Sequence, residues 1–360
     1  MLEPADPPHP VTWPSSARQA AFTAWLAALQ ARHRLLPQSL RAASSDASFR
    51  RYLRIDCEPG DASPATSLIV MDAPPPQEDV RAFVAIAGAL ERAGLNAPRV
   101  LAEDAESGFL LLSDLGSTLY LQALGDAAAR ADQPAIDRLM RQAVDTLIAW
   151  QQRIDPRALP PYDAPLLHRE LALFPEWCVV REHGRQWNAE DLATWNQACS
   201  LLVDSALAQA TVAVHRDYMP RNLMLTDSGP GILDFQDAVN GPVSYDLASL
   251  LRDAFISWDE EMELDIGVRY WEQARKAGLP LPDDFGEFWR QVEWMGLQRH
   301  LKVLGIFCRL KHRDGKPRYS EDLPRFFAYA HRVAARYNAL RPLSRLLEPL
   351  MGAQRIEAFH

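Results

Sequence analysis

Val214-His215-Arg216-Asp217-Tyr218-Met219-Pro220-Arg221-Asn222-Leu223-Met224-Leu225 is followed, twelve residues past Asn222, by Leu233-Asp234-Phe235. The apolar run Ala210-Thr211-Val212-Ala213-Val214 ahead of it reads as a strand. Leu223-Met224-Leu225, a turn at Ser228-Gly229-Pro230 and the apolar residues before Asp234 read as a hairpin. The pattern puts Asp217, Asn222 and Asp234 on loops around that hairpin. An Asp beside an incoming hydroxyl can accept its proton, and an Asn with a second Asp at this offset can hold Mg²⁺ between the phosphates of a nucleotide. Asp-x₄-Asn alone occurs often by chance; the flanking strands and the Asp234-Phe235 pair give it weight.

Outward from this stretch, residues 1–16 are rich in proline and are expected to form an irregular arm. Ala20, Phe22, Trp25, Leu26 and Leu29 recur at helical spacing over 16–34, with Ser16 as the expected cap. A strand-like hairpin is expected over 44–55, and strands over 67–72, 98–103 and 108–116, the last ending in a polar crossover. A helix over 78–93 is closed by Gly94. From 117 onward the pattern is helical, over 117–124, 133–153, 167–182, 189–208, 244–256, 260–277, 284–311 and 322–340. This order predicts an α+β chain of two lobes. A strand-rich amino-terminal nucleotide-binding lobe spans 17–113 and a mainly helical catalytic and substrate-binding lobe spans 114–360, with the site expected in the cleft between them.

A chain of 360 residues can bury a large core, and 48% hydrophobic with 24% charged residues is the balance of a folded globular protein. A formal net charge of -9 opposes a nucleic-acid partner, which calls for surplus Lys and Arg. Cys57, Cys178, Cys199 and Cys308 form no CxxC pair and read as small buried hydrophobes rather than a zinc site or a disulfide framework. The opening residues do not resemble a secretory signal, and no apolar run of about 18 residues marks a membrane span, so a cytoplasmic location is expected.

The hairpin over 44–55 is expected to cover nucleotide phosphates. The chain has no lysine before Lys276, and the strand over 67–72 offers Met71 and Asp72. An arginine must then anchor the phosphates if anything does, and a guanidinium can bridge two phosphate oxygens. Arg50, Arg51 and Arg54 are the candidates, with Ser48 beside them. Arg51 is favoured, because it shares a strand face with Phe49, Leu53 and Ile55 that is expected to meet the nucleotide. Asp237 is a surface turn acid or a contact to a second metal or the acceptor. Asp246 is expected to cap its helix or bond the catalytic loop, and Arg252 to form an ion pair or touch substrate. Arg299 and Lys302 lie in the most basic run of the chain, either a solvated helix face or cations that favour an anionic acceptor.

Asp46-Ala47-Ser48-Phe49-Arg50-Arg51-Tyr52, Val70-Met71-Asp72-Ala73-Pro74-Pro75-Pro76-Gln77-Glu78-Asp79, His215-Arg216-Asp217-Tyr218-Met219-Pro220-Arg221-Asn222, Asp234-Phe235-Gln236-Asp237-Ala238 and Gln298-Arg299-His300-Leu301-Lys302 span nearly the whole chain. With them the sequence resembles the aminoglycoside-phosphotransferase and choline-kinase-like branch of the protein-kinase-like superfamily. Within it, the likeness is to bacterial anomeric amino-sugar kinases of cell-wall recycling. The resemblance implies a bilobal protein-kinase-like fold, with backbone groups near Ser113 to Leu115 on the adenine edge. It implies Asp217 as base, Asn222 and Asp234 as Mg²⁺ ligands and ATP as co-substrate. The implied reaction is phosphorylation of the C1 hydroxyl of N-acetylmuramate or N-acetylglucosamine to the α-1-phosphate. Another small hydroxyl acceptor on the same fold is one alternative. A nucleotide-binding pseudokinase, suggested by the missing strand lysine, is the other, and the intact Asp217, Asn222 and Asp234 argue against it.

Overall fold

The computed structural model describes residues 11–45, 49–59 and 65–351. The chain forms two compact units, Met1–Thr118 with Met224–Gln236, and Leu119–Leu223 with Asp237–His360. The division falls at 118/119 rather than 113/114, and the hairpin from Met224 goes with the first unit. Backbone bonding explains this: Leu225 N–H donates to Thr118 O and Ile232 N–H to Asn96 O, each at 2.8 Å.

In the first unit α1 (Ser16–His33) leads into β1 (Leu35–Ser45), β2 (Arg51–Cys57), β3 (Ser67–Asp72), α2 (Arg81–Arg92), β4 (Val100–Asp104) and β5 (Phe109–Ser113). The cap of α1 is Ser15, whose hydroxyl accepts the Arg18 N–H, one residue before the expected Ser16. The strands make one antiparallel sheet in the order β1-β2-β3-β5-β4. Most of β1 has no counterpart in the sequence pattern, where Pro37 interrupts it and Ser44-Ser45 looks like turn. Pairing of Leu53 with Val70, Ile55 with Leu68, and Val70 with Leu111 sets these side chains on one face. There they pack with Phe22 and Leu26 of α1 and with Phe109. Each apolar side chain so buried contributes about 1.5–3 kcal/mol.

The face expected to meet a nucleotide is therefore the one sealed by α1. Arg51 lies at its end, where Asp72 receives Arg51 and Arg18 together. Arg51 Nε and Nη2 donate to one Asp72 oxygen, and Arg18 Nε and Nη2 donate to the other at 3.0 and 2.5 Å. Register puts Tyr52, Arg54, Ile69, Met71, Leu110 and Leu112 on the opposite face.

The second unit contains α3 (Tyr120–Ala129), α4 (Gln133–Arg153), α5 (Ala164–Leu173) running into π-helical turns over Phe174–Glu182, α6 (Ala189–Leu207) and β6 (Thr211–Val214). After the short strands β7 (Leu223–Met224) and β8 (Gly231–Ile232) come β9 (Val239–Pro242), α7 (Tyr245–Leu251), α8 (Glu260–Lys276), α9 (Phe285–Asp314), α10 (Leu323–Arg336) and α11 (Arg341–Leu347). The helix expected over 244–256 stops at Leu251, and that over 322–340 ends at Arg336, with α11 a separate helix beyond it. Helix α9 is buried over most of its length, starts on an Asp284 cap and closes on Gly315 at φ 63°. A Cβ on Gly305 would lie 2.5 Å from the Leu173 carbonyl carbon, so only glycine lets α9 pass the end of α5 this closely. All four cysteines are buried and unpaired. Among the described residues no helix is long and apolar enough to cross a membrane.

Candidate active site

Strand β6 is held by β9 through Val214 and Val239, and the chain turns sharply after it. His215 N–H and Arg216 N–H both donate to the Asp246 carboxylate, at 2.7 and 3.0 Å. Two successive N–H groups reach one acceptor because Arg216 takes φ 75°. That left-handed conformation costs about 1–2 kcal/mol for a residue with a Cβ. Asp246 thus bonds the loop and does not cap α7. Burial drives its carboxyl upward and the Asp217 charge adds to this, while the two N–H bonds and Arg299 oppose it; the balance is about 7.

The His215 ring packs against Trp150 and Tyr218, with centroids 5.3 and 5.8 Å away, and its Nδ1 accepts the Asp217 N–H at 3.3 Å. Trp150 Nε1–H donates to Ala213 O and the Tyr218 hydroxyl to Ala143 O, both at 2.8 Å. With its backbone fixed from α4 and α7, the loop presents the Asp217 carboxylate, 42% exposed, 3.7 Å from Nη2 of Arg299. The Asn222 amide nitrogen donates to Asp217 O at 2.9 Å, which leaves its Oδ1 as the atom to offer a metal.

Glu170 of α5 braces this loop. It receives Arg216 Nη2 at 2.6 Å, Gln298 Nε2 at 3.2 Å and the Tyr162 hydroxyl, with Lys302 Nζ 3.1 Å away. Burial opposes its ionisation, but Lys302, Arg216 and these hydrogen bonds outweigh burial and hold the carboxyl at about 2. Lys302 also donates to the Tyr245 hydroxyl at 3.2 Å. Expected at the acceptor, Lys302 instead neutralises Glu170 and steadies Arg216 through it. Arg252 is corrected likewise. It is fully buried, gives Nε and Nη2 to Glu263 at 3.1 and 2.9 Å, and gives Nη2 to Glu293 at 3.1 Å, an ion-pair centre rather than a substrate contact. Asp237 is exposed, and its carbonyl accepts from Arg216 Nη1 at 3.4 Å.

In the first unit Asp234 takes φ 59° and accepts from Gln236 Nε2 at 2.9 Å, while the buried Phe235 packs 4.7 Å from the Phe83 ring of α2. Arg50 Nε donates to Glu78 at 2.9 Å, both side chains being largely buried. Burial works against the Arg50 charge, but Tyr52, Glu78 and Asp234 outweigh it and hold the guanidinium above its ordinary value. Arg51, the favoured phosphate ligand, is engaged by Asp72 on the α1 face. Arg54 donates to Asp114 at 2.6 and 3.0 Å and to Gly116 O at 2.6 Å. Ser113 is closed off too, since its N–H donates to Arg99 O and its hydroxyl accepts the Arg99 N–H, each at 2.9 Å. Leu115 lies past the end of β5, against Gly231, where a Cβ would come within 2.7 Å of its Cδ1. Ser48 lies outside the described residues. Sequence reasoning passed over Glu78 and Glu170, because a buried acid shows itself only when its distant arginine partner is known.

The phosphotransferase enzyme family matches residues 39–281. A Pseudomonas aeruginosa protein named N-acetylmuramate/N-acetylglucosamine kinase is 53% identical over 319 residues, covering 88% of this chain and 90% of that protein. A Neisseria meningitidis protein of the same name is 46% identical over 322 residues, covering 88% and 92%. Among solved structures, a choline kinase from Cryptosporidium parvum superposes with a TM-score of 0.59 at 11% identity, covering 91% of this chain and 99% of its own. An ADP-bound aminoglycoside phosphotransferase gives 0.54 at 13% identity, covering 84% and 95%. The structural likenesses establish a protein-kinase-like fold. With the sequence matches they show that this chain belongs to the phosphotransferase enzyme family.

Proposed function

We propose that the protein transfers the terminal phosphoryl group of ATP to the anomeric C1 hydroxyl of N-acetylmuramate or N-acetylglucosamine, giving the α-1-phosphate for peptidoglycan recycling. The substrate assignment is supported by relatives named N-acetylmuramate/N-acetylglucosamine kinase at 46–53% identity across most of the chain. One observation carries the chemistry: a half-exposed carboxylate, Asp217, on a loop whose backbone is otherwise clamped.

Asp217 orients the acceptor hydroxyl and takes its proton. An anomeric hydroxyl is more acidic than an ordinary alcohol, so a simple carboxylate suffices as base. Asn222 Oδ1 and the Asp234 carboxylate would hold Mg²⁺, and two hard oxygen donors fit an ion that shares its shell with substrate phosphates and water. When bound, the ion neutralises charge on the β- and γ-phosphates. Arg50, braced by Glu78, takes the place of the absent strand lysine, and the backbone at Leu115 meets the adenine edge.

The test is ATP consumption with a panel of N-acetylmuramate, N-acetylglucosamine, choline and an aminoglycoside. Turnover confined to the acetylated amino sugars, with an α-anomeric phosphate product by NMR, is expected. Turnover with neither sugar refutes the assignment.

A further inference from the structure

Asp253 lies two residues past the end of α7 and is 1% exposed. One carboxylate oxygen accepts the Ala254 N–H at 2.5 Å; the other, Oδ2, is buried without a partner. Burial pushes this carboxyl up to about 6, and among the charges that oppose the shift Arg299 is the strongest, ahead of Arg221 and Arg325. Arg299 has the same defect with the opposite sign: its side chain is 4% exposed, Nη2 lies 3.7 Å from Asp217, and Nη1 is buried with no partner. Native interiors rarely leave such atoms unanswered, because each costs about 1–3 kcal/mol. Here an acceptor and a donor are both unanswered, and the donor's guanidinium borders the proposed base.

The surroundings narrow what could answer them. Arg221 of the catalytic loop stacks on Phe255 at 4.8 Å, two residues past Asp253, and that ring is 37% exposed. A pyranose meets these demands: its hydroxyls can donate to a carboxylate and accept from a guanidinium, and its C–H face can pack on an aromatic ring.

We propose that Asp253 and Arg299 determine acceptor specificity: Asp253 Oδ2 accepts a hydrogen bond from a ring hydroxyl of the sugar, and Arg299 Nη1 donates to a neighbouring sugar oxygen. This rests on the amino-sugar kinase assignment above. It adds Asp253, and it gives Arg299 a second task beside holding Asp217. The empty hydrogen-bonding capacity makes Asp253 a liability to the free protein, and that separates a binding role from a structural one.

The experiment uses full-length Asp253→Asn and Asp253→Ala. KM for the sugar, KM for ATP and thermal unfolding are measured, with monodeoxy analogues of the preferred sugar as probes. The sugar KM should rise about 10- to 100-fold, the worth of one charge-assisted hydrogen bond, with the ATP KM within about twofold. The unfolding temperature should hold or rise. One deoxy analogue should be penalised by the wild type and not by Asp253→Asn. A sugar KM within about twofold of wild type, or a fall in unfolding temperature with both KM values moving together, overturns the proposal. A wild-type enzyme inactive on both sugars overturns the substrate assignment and this proposal with it; active wild type beside an unchanged variant overturns this proposal alone.

Discussion

Asp246→Asn probes the clamp on the catalytic loop with little change of shape. The carboxylate receives His215 N–H at 2.7 Å and Arg216 N–H at 3.0 Å. An amide can accept only one of these and turns its own N–H₂ toward the other. A hydrogen bond to a charged group contributes about 1.5–3 kcal/mol. Losing one and setting two donors face to face removes about 2–3 kcal/mol from a loop conformation that already holds Arg216 at φ 75°. If that falls on the orientation of Asp217, kcat drops about 30- to 150-fold at about 1.4 kcal/mol per decade. Stability should move less. Asp246 has a folded-state value raised to about 7, so it binds its proton more tightly folded than unfolded. Its favourable contribution is complete below the unfolded value near 4 and is lost as pH rises through about 7. At about pH 8 the wild type carries a buried charge that asparagine removes, so the unfolding temperature there should hold within a few degrees or rise. The wild-type kcat should climb as pH rises through about 7, when the clamp ionises, and the variant should lack that limb. ATP turnover and thermal unfolding between about pH 5.5 and 9 check both claims. A kcat within about threefold of wild type at about pH 8 refutes the clamp, as does an activity loss matched by a large loss of stability.

Asp217→Asn should keep its affinity for Mg²⁺-ADP and lose about 10³-fold or more in turnover; unchanged turnover removes Asp217 as base. Arg50→Met should raise the ATP KM about tenfold or more, with Arg50→Lys recovering much of it, Glu78→Gln falling between, and the sugar KM steady throughout. An ATP KM that does not respond to Arg50→Met returns the anchoring question to other residues. Glu170 has a depressed value of about 2, so its stabilisation is complete above the unfolded value near 4.5 and is lost as pH falls toward 2. Acid unfolding of Glu170→Gln should therefore begin from lower stability and show a shallower pH dependence in that window, which urea melts at several pH values would reveal.

The loop proposed as catalytic was open to sequence reading because its polar residues are local: Asp217 and Asn222 share one turn, and Asp234 follows one short hairpin. Helices such as Gln133–Arg153 and Glu260–Lys276 were legible because each carries a long amphipathic period. What failed was the choice of face on β2. Period-two alternation separates Arg51, Leu53 and Ile55 from Arg50, Tyr52 and Arg54 but does not say which set meets the ligand. The apolar set belongs to the core, and here the core includes α1, so the face with Arg51 is closed and only the opposite face is left for the proposed nucleotide. Arg252 and Lys302 failed for another reason. Their partners Glu263, Glu293 and Glu170 lie on other helices, and only packing turns an apparently free cation into half of a buried pair.

The first unit, Met1–Thr118 with Met224–Gln236, contains no lysine. Its basic side chains are all arginine apart from histidine, and a guanidinium stays charged to about pH 12 and beyond, so the proposed grip of Arg50 on phosphate would not weaken in alkaline solution. Nor is there a side-chain amine in that unit to acylate. Acetylation cannot silence it, and reactive acyl-phosphate nucleotides that tag kinases by forming an amide with a lysine will find no such nucleophile there. A chemical census of ATP-binding proteins built on that reaction could tag this one only through the four lysines of the second unit.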